Sequence, residues 1–289
     1  MKGTELGTLY LVSTPVGNLE DLSLRASRVL GEVDTILAED TRRTRKLLHH
    51  FELTTPMLSL HAHNEEARTE EVLSRLREGK ALALVSDAGT PLVSDPGERL
   101  VRKAIDGGHA VVPIPGPSAV LHALVGSGLP TTPFSFLGFV PRKGPERRAL
   151  LDRVRSSRET VVLFEAPGRT PALLRDLADR CGAERRAAVA RELTKLHEEF
   201  RRGTLSELAR YYGDEPPRGE VTVVVTRAAV GLSDAAGLGA EGEALARSLL
   251  ESGLSPSRAA REVASVLEIP RNVAYDLLLD LSRSPSEPE

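Results

Sequence analysis

Short unbroken apolar runs alternate with amphipathic stretches along most of the chain. TLYLVS (8–13), TILAE (35–39), MLSLH (57–61), ALALVS (81–86) and AVVPI (110–114) read as strands. Apolar runs of this length, bounded by turn residues, fit strands covered on both faces. Between them, residues 22–32, a basic stretch from Thr41, residues 64–78 and residues 97–106 read as helices. In 22–32 the apolar positions are Leu24, Val29 and Leu30, and Asn64 stands where a cap belongs. A further helix begins after PGPS (115–118). Strands alternating with helices predict a mostly parallel sheet.

The pattern loosens in the second half. FSFLGF (134–139), TVVLFEA (160–166) and EVTVVVT (220–226) read as strands, with helices over 145–157, 170–180 and 205–212. AAVAREL (187–193) and EEFRRGT (198–204) follow each other with no helix between, so this sheet is expected to be mixed. The fold class is therefore α/β: one α/β domain over 1–117 and a second over 118–230. An Ala/Gly-rich linker follows at 231–240, then a helical extension over 241–284 with helices at 241–252, 256–267 and 271–282. "SPSRAAREVASVLEIPRNVAYDLLLDL" resembles a helix-turn-helix, with Ser255 or Ser257 as cap and IPRN as the turn. From residue 240 onward there are five basic residues against nine acidic ones. That is poor electrostatics for a phosphate surface, so the extension reads as a packing module.

Composition narrows the picture. Aromatic residues are 3% of the chain and Trp is absent, so the core must be built from Leu, Val and Ala. The single cysteine, Cys181, excludes a disulfide framework and a Cys-rich zinc site. His61 and His63 alternate at a strand end and make a poor zinc pair; no metal is expected. The N-terminus lacks a signal-peptide core and no run reaches membrane-spanning length, which points to a cytoplasmic protein without membrane contact. The net charge of −3 decides nothing, but its distribution does. DTRRTRK (40–46) carries four basic residues and one acid, and 141–158 carries seven and two. Such blocks can track phosphates.

The loops after the strands carry Pro beside Gly: TPVGN (14–18), AGTP (88–91), SDPG (94–97) and PGPS (115–118). Proline supplies no N–H, whereas a phosphate cradle needs several converging N–H groups. Asp87 and Asp95 add negative charge. G-x-G-x-x-G is absent, so Gly17 followed by Asp40 makes a weak dinucleotide signature. The loops suit an uncharged or cationic ligand, and S-adenosylmethionine, a sulfonium without phosphate, meets that description.

"TLYLVSTPVGNLEDLSLRA", "ILAEDTRRTRKLL", "SLHAHNE", "LVSDAGTPLVSDPG", "PIPGPSAVLHALVGSGLPTTPFSFLGFVPRK" and "RELTKLHEEFRRGTL" together resemble the small-subunit ribosomal RNA cytidine 2′-O-methyltransferase family of the tetrapyrrole-methylase superfamily. The resemblance runs from about residue 7 to 227, and the tail resembles the family's C-terminal extension. It implies two α/β domains with a cofactor cleft between them, a homodimer, S-adenosylmethionine as methyl donor, and the ribose of a decoding-centre cytidine in 16S rRNA as acceptor. Carried over, Pro15 and Gly17 would border the cofactor. Asp87, Ala88, Gly89, Thr90 and Pro91 would hold its methionine and ribose parts, and Ser118 and Ala119 would meet it at the hinge. Phe164 and Glu165 would face the cleft, with Thr222 near the adenine. Gly168 departs from the family, where a larger polar residue often stands in E-A-P-x-R; Arg169 remains.

The reaction needs a base for the hydroxyl proton. Asp40, His61, Asp87, Glu165, Glu192 and Lys195 are candidates, and the pairs Glu39/Asp40 and Glu192/Lys195 are favoured. Each has a plainer reading: Asp40 as a helix cap, Glu192 and Lys195 as a surface ion pair. Arg42, Arg43, Arg45, Arg142, Lys143, Arg147, Arg148 and Arg169 are expected on RNA. Phe51, Phe139 and Tyr211 or Tyr212 are the few available base stackers. Two rival functions remain: a tetrapyrrole or corrin methyltransferase of the same fold, which has no need of the basic blocks, and a non-enzymatic RNA-binding assembly factor, which has no need of the Pro/Gly loops.

Overall fold

In the computed structural model, residues 6–228, 239–267, 271, 274, 275, 277, 278 and 281 are described. They fall into two units, Met1–Arg227 and Ala228–Glu289.

The first unit holds two five-stranded sheets. In the first, β1 (Thr8–Val12), β2 (Thr35–Ala38), β3 (Met57–Ser59), β4 (Leu82–Val85) and β5 (Ala110–Ile114) run in the order β3-β2-β4-β1-β5. All the pairings are parallel. The two-residue period of each strand sorts side chains to opposite faces. Leu9, Leu37, Leu82 and Leu84 meet α3 (Glu65–Arg77) and α4 (Glu98–Asp106). Val12, Ile36, Ala38, Ala83 and Val85 meet α1 (Leu24–Glu32) and α2 (Thr41–His50). Both faces are covered, which is why the strands read as continuous apolar runs.

The second sheet follows α5 (Ala119–Gly126). Its strands β6 (Phe134–Phe139), β7 (Thr160–Glu165), β8 (Arg186–Arg191), β9 (Glu199–Thr204) and β10 (Val221–Val225) run β6-β7-β10-β8-β9. Only β6/β7 is parallel; the other three pairings are antiparallel, so the sheet is mixed. α5 covers one face, through Val120, Ala123 and Leu124. The opposite face packs on α6 (Gly144–Ser156), α7 (Thr170–Cys181) and α8 (Leu205–Asp214). A reciprocal pair of hydrogen bonds between Thr204 and Glu207 starts α8.

Two local expectations need correction. Leu24 is 92% exposed; the buried stripe of α1 is Ala26, Val29 and Leu30, because Ser23 caps the helix one residue earlier and leaves Leu24 on the first turn's outer side. Asn64 precedes α3 but makes no cap bond. Its Oδ1 accepts the His61 N–H at 2.8 Å and its amide donates to the Ser59 carbonyl, closing the loop after β3 instead.

The second unit contains helices Gly239–Glu251 and Pro256–Val266. Ser255 precedes the latter without a side-chain cap bond. Ala259, Ala260 and Val263 pack with Ala246, Ala274, Leu277 and Leu278. The expected linker at 231–240 and the IPRN turn lie largely outside the described residues. No described helix is long and apolar enough to cross a membrane.

Candidate active site

The carboxyl ends of neighbouring strands β1 and β4 carry the two Pro/Gly loops, and the structure ties them together. Thr14 and Gly89 exchange backbone hydrogen bonds, each 2.9 Å. Ser13 Oγ donates to Thr90 Oγ1 at 3.3 Å, and Thr90 Oγ1 donates to the Pro117 carbonyl at 3.2 Å. The Thr14 and Gly89 N–H groups are thereby engaged in joining the two loops. Gly89 has φ +79°, a left-handed conformation that Gly adopts without strain. The crevice beyond the strands' carboxyl ends is where open α/β sheets hold ligands.

A cleft of about 350 Å³ lies between these loops and the second sheet. From the first sheet it receives Asp87, Ala88, Gly89 and Thr90, then Val93, Ser94 and Asp95; Ser118, Ala119 and Val120 come from the start of α5. From the second sheet come Phe139, Phe164, Glu165, Val221 and Thr222, with Gly219 and Glu220 at the rim of β10. The size falls within the roughly 300–1,000 Å³ typical of small-molecule sites. Its wall holds four carboxylates, Asp87, Asp95, Glu165 and Glu220, against one cation, Arg43.

The carboxylates differ. Burial, then the nearby Glu39 and Asp87 charges, push Asp95 up to about 6, against a hydrogen bond from Ser86. Two left-handed residues, Leu92 and Ser94, turn the chain that presents it. Glu39 is raised by burial and by Asp87. The Glu165 side chain is fully buried. Its Oε1 accepts the Ala166 N–H at 2.8 Å and pairs with Arg169, while Oε2 lies 3.9 Å from Arg147 with no hydrogen bond. Burial raises its pKa despite both arginines.

Of the expected cofactor residues, Asp87, Ala88, Gly89, Thr90, Ser118, Ala119, Phe164, Glu165 and Thr222 line this cleft. Pro15 instead lines a smaller cavity beside it. Pro91 is buried behind the loop, and Gly17 packs beneath Leu193, Thr194 and Lys195.

The favoured proton acceptors are differently placed. Asp40 caps α2: its Oδ1 accepts the Arg42 N–H at 2.8 Å, its carboxylate pairs with the Arg42 guanidinium, and these bonds hold it down to about 2. An acid so weakly basic suits the cap. Lys195 Nζ donates to Glu192 at 2.9 Å and to Glu220 at 3.1 Å, and these partners raise its pKa against the opposing burial. The group is a held cation at the cleft rim.

The basic residues divide as well. Arg43 lies 3.5 Å from Asp87, and Arg45, Arg142, Lys143 and Arg148 are exposed. Arg147 does not fit the expectation of phosphate contact. It is 14% exposed and donates to Asp176 at 2.7 Å and to the Pro141 carbonyl at 3.0 Å. Arg169 is turned to Glu165. Among the expected stackers, Phe139 is exposed and reaches the cleft, Phe51 is half-buried, and Tyr212 is buried. Tyr211 lies under the Arg201 guanidinium, 3.5 Å from the ring centre. Among the described residues no group of three His, Cys, Asp or Glu could hold a metal.

Asp95, Val93, Ser94, Gly219 and Glu220 were absent from the expected site. Asp95 carried a signal, since it stands in SDPG, one of the four Pro/Gly loops. Gly219 and Glu220 carried none, because the pairing of β10 with β7 and β8 brings them to the rim.

The family model of tetrapyrrole (corrin/porphyrin) methylases matches residues 8–209, and that of the RsmI C-terminal HTH domain matches 232–282. Ribosomal RNA small subunit methyltransferase I of Synechocystis sp. is 46% identical, covering 96% of this chain and 99% of that protein. The Xylella fastidiosa protein of the same name is 48% identical over 93% and 98%. Among solved structures, diphthine synthase superposes with a TM-score of 0.61 at 17% identity, over 76% of this chain and 90% of that one. Uroporphyrin-III C-methyl transferase from Thermus thermophilus, complexed with S-adenyl homocysteine, gives 0.54 at 22%, over 76% and 97%. These structures share the fold of the first unit; the sequence relatives share nearly the whole chain, and the chain therefore belongs to the ribosomal RNA small subunit methyltransferase I family, within the tetrapyrrole methylases.

Proposed function

We propose that this chain transfers the methyl group of S-adenosylmethionine to the ribose 2′-hydroxyl of a decoding-centre cytidine in the 16S rRNA of the small ribosomal subunit. The observation that carries the reading is the cleft: four carboxylates and one arginine on an otherwise largely apolar wall. That wall fits a cation without phosphate and disfavours a pyrophosphate. Membership in a family named for ribosomal RNA favours it over a corrin or porphyrin acceptor.

The cofactor supplies a methyl group already activated on positively charged sulfur. The chain's residues do the rest. Gly89 and Ala88 allow close backbone approach, Phe164 and Val221 give apolar contact, and Asp87 and Asp95 stabilise positive charge. Alignment of acceptor and donor contributes up to roughly 7–11 kcal/mol. A carboxylate that accepts the hydroxyl proton adds about 10²–10⁴-fold. Asp95, with a pKa near neutrality, suits that task better than Asp40 or Lys195. The exposed Arg45, Arg142, Lys143 and Arg148 then contact the RNA backbone. A cytoplasmic homodimer belongs to this reading; Leu121 and Val125, exposed on α5, are apolar surface that a second copy would cover. Sedimentation tests the dimer.

The deciding experiment incubates the protein and labelled S-adenosylmethionine with small subunits that lack the modification, then maps the labelled ribose. Label on a cytidine 2′-oxygen is expected. Label on no nucleotide, with transfer to a tetrapyrrole instead, would overturn the reading.

A further inference from the structure

A second cavity, of about 140 Å³, shares Arg43 and Asp87 with the large cleft. Thr14, Pro15 and Leu19 line it from the loop after β1, and Lys46 from α2. It is too small for another cofactor, since drug-sized ligands occupy about 300 Å³ or more. It has room for a sugar or a phosphate. Its charge is set by two cations, Arg43 and Lys46, against one carboxylate, Asp87, which Arg43 already faces. Lys46 is exposed and forms no ion pair among the described residues. The positive end of α2 contributes little, because the Asp40 carboxylate caps it. Two cations beside the hydroxyls of Thr14, Thr44 and Ser86 favour an anionic group in this cavity.

The common wall is thin. Arg43 and Asp87 are 3.5 Å apart, beyond a strong charge-assisted hydrogen bond, and the Arg43 side chain is 62% exposed. A phosphate entering the small cavity competes with Asp87 for the guanidinium. With Arg43 turned to a phosphate, Asp87 would face whatever that phosphate carries. Asp87 is held in place for this by the Asp40 N–H, which donates to Oδ1 at 3.0 Å.

We propose that the small cavity seats the phosphate of the target nucleotide, with Lys46 and Arg43 on it and the attached ribose hydroxyls turned to the Arg43–Asp87 wall. This rests on the reading that the chain methylates an RNA ribose. It adds the place of the acceptor and gives Lys46 a role. It also places Pro15, which lines this cavity and not the large cleft, beside the acceptor.

The test uses the full chain, unmodified small subunits, and two variants. Lys46→Ala removes one phosphate contact, and Leu19→Trp fills the cavity from its half-exposed edge. Calorimetry with S-adenosylhomocysteine reports whether each variant keeps its fold and cofactor cleft. Expected are unchanged S-adenosylhomocysteine affinities in both and a several-fold higher KM for subunits in Lys46→Ala. The slope of log KM against log salt should fall by about 1. Leu19→Trp should lose at least about tenfold in kcat/KM for subunits, a modest steric penalty of about 1.4 kcal/mol. Wild-type KM, slope and kcat/KM in both variants would overturn this inference alone. Absence of transfer by the unaltered chain would overturn the functional reading and this inference with it.

Discussion

The Asn18 backbone N–H donates to Thr194 Oγ1 at 2.9 Å, joining the loop after β1 to the loop after β8 across 176 positions of sequence. Beside it, Lys195 packs over Gly17. The two sheets are thus latched at the rim of the cleft they enclose. A single hydrogen bond contributes about 0.5–1.5 kcal/mol, so Thr194→Val is expected to weaken S-adenosylhomocysteine binding by up to roughly tenfold, with little change in Tm. Calorimetry and thermal melts check both halves; an unchanged affinity would show that the latch does not shape the cleft.

Asp95 gives the site a pH dependence whose sign is fixed. Its folded pKa, about 6, lies above the ordinary 3.8, chiefly through burial and then Glu39, with Asp87 adding to it. Between those values the folded chain holds a proton that the unfolded chain has lost, so stability falls as pH rises through about 6. A cationic ligand in the same cleft favours the ionised form. Binding of S-adenosylmethionine should therefore tighten between about pH 5 and pH 7 and release a proton. Asp95→Asn should flatten that dependence and slow single-turnover transfer by about 10²-fold or more. Identical pH slopes for wild type and variant would remove Asp95 from the cleft's chemistry.

Glu165 separates two costs. Deleting one partner of a buried ion pair typically costs about 3–5 kcal/mol, and Glu165→Ala would take from Arg169 its carboxylate partner, while Arg147 keeps Asp176. Yet its raised pKa means that burial outweighs both arginines, and a neutral side chain of the same shape should be tolerated. Glu165→Gln, which keeps the acceptor for the Ala166 N–H, is expected to stay within about 1 kcal/mol of wild type at neutral pH. Denaturant titrations of the two variants settle the comparison.

The sequence made some of this legible for physical reasons. Asp40 before a helical stretch and continuous Val in VTVVV speak through local rules: the plainer reading of Asp40, a helix cap, is the one seen, and VTVVV is a buried strand. The cleft loops were visible because proline and glycine constrain the backbone wherever they stand. Asp95's altered chemistry was not visible, because it arises chiefly from burial in the folded cleft, and then from residues 39 and 87 brought beside it. Arg147 was misleading for the same reason. A basic helix does not announce which arginine turns inward, and only the approach of Asp176 on α7 decides it.

Gly97 holds the Asp95 loop in place. It stands before α4 with φ +121°, and an added Cβ would lie 2.6 Å from Leu84 Cδ2 and 2.9 Å from Leu92 Cδ2. Gly97→Ala should cost about 1–3 kcal/mol, a Tm drop of roughly 2–4 °C per kcal/mol for a domain of this size. Cofactor affinity should fall with it, since Asp95 lies two residues away. A melt at the wild-type temperature would mean that the loop repacks freely.

Lys195 distinguishes a proton acceptor from a held charge. A lysine serves as base only when its pKa is depressed, by burial or by nearby cations. Here the two nearest charges are the carboxylates of Glu192 and Glu220, and their bonds outweigh the effect of burial. Its ammonium ties Glu220, on the cleft wall, to the loop that covers Gly17. Lys195→Arg keeps the charge and should leave the pH–rate profile of methyl transfer unchanged, with kcat within a few-fold of wild type. Lys195→Gln loses the charge and should weaken cofactor binding, because Glu192 and Glu220 then repel across the rim. Were Lys195 the base, the arginine variant would be as inactive as the glutamine one, since a guanidinium does not give up its proton at accessible pH.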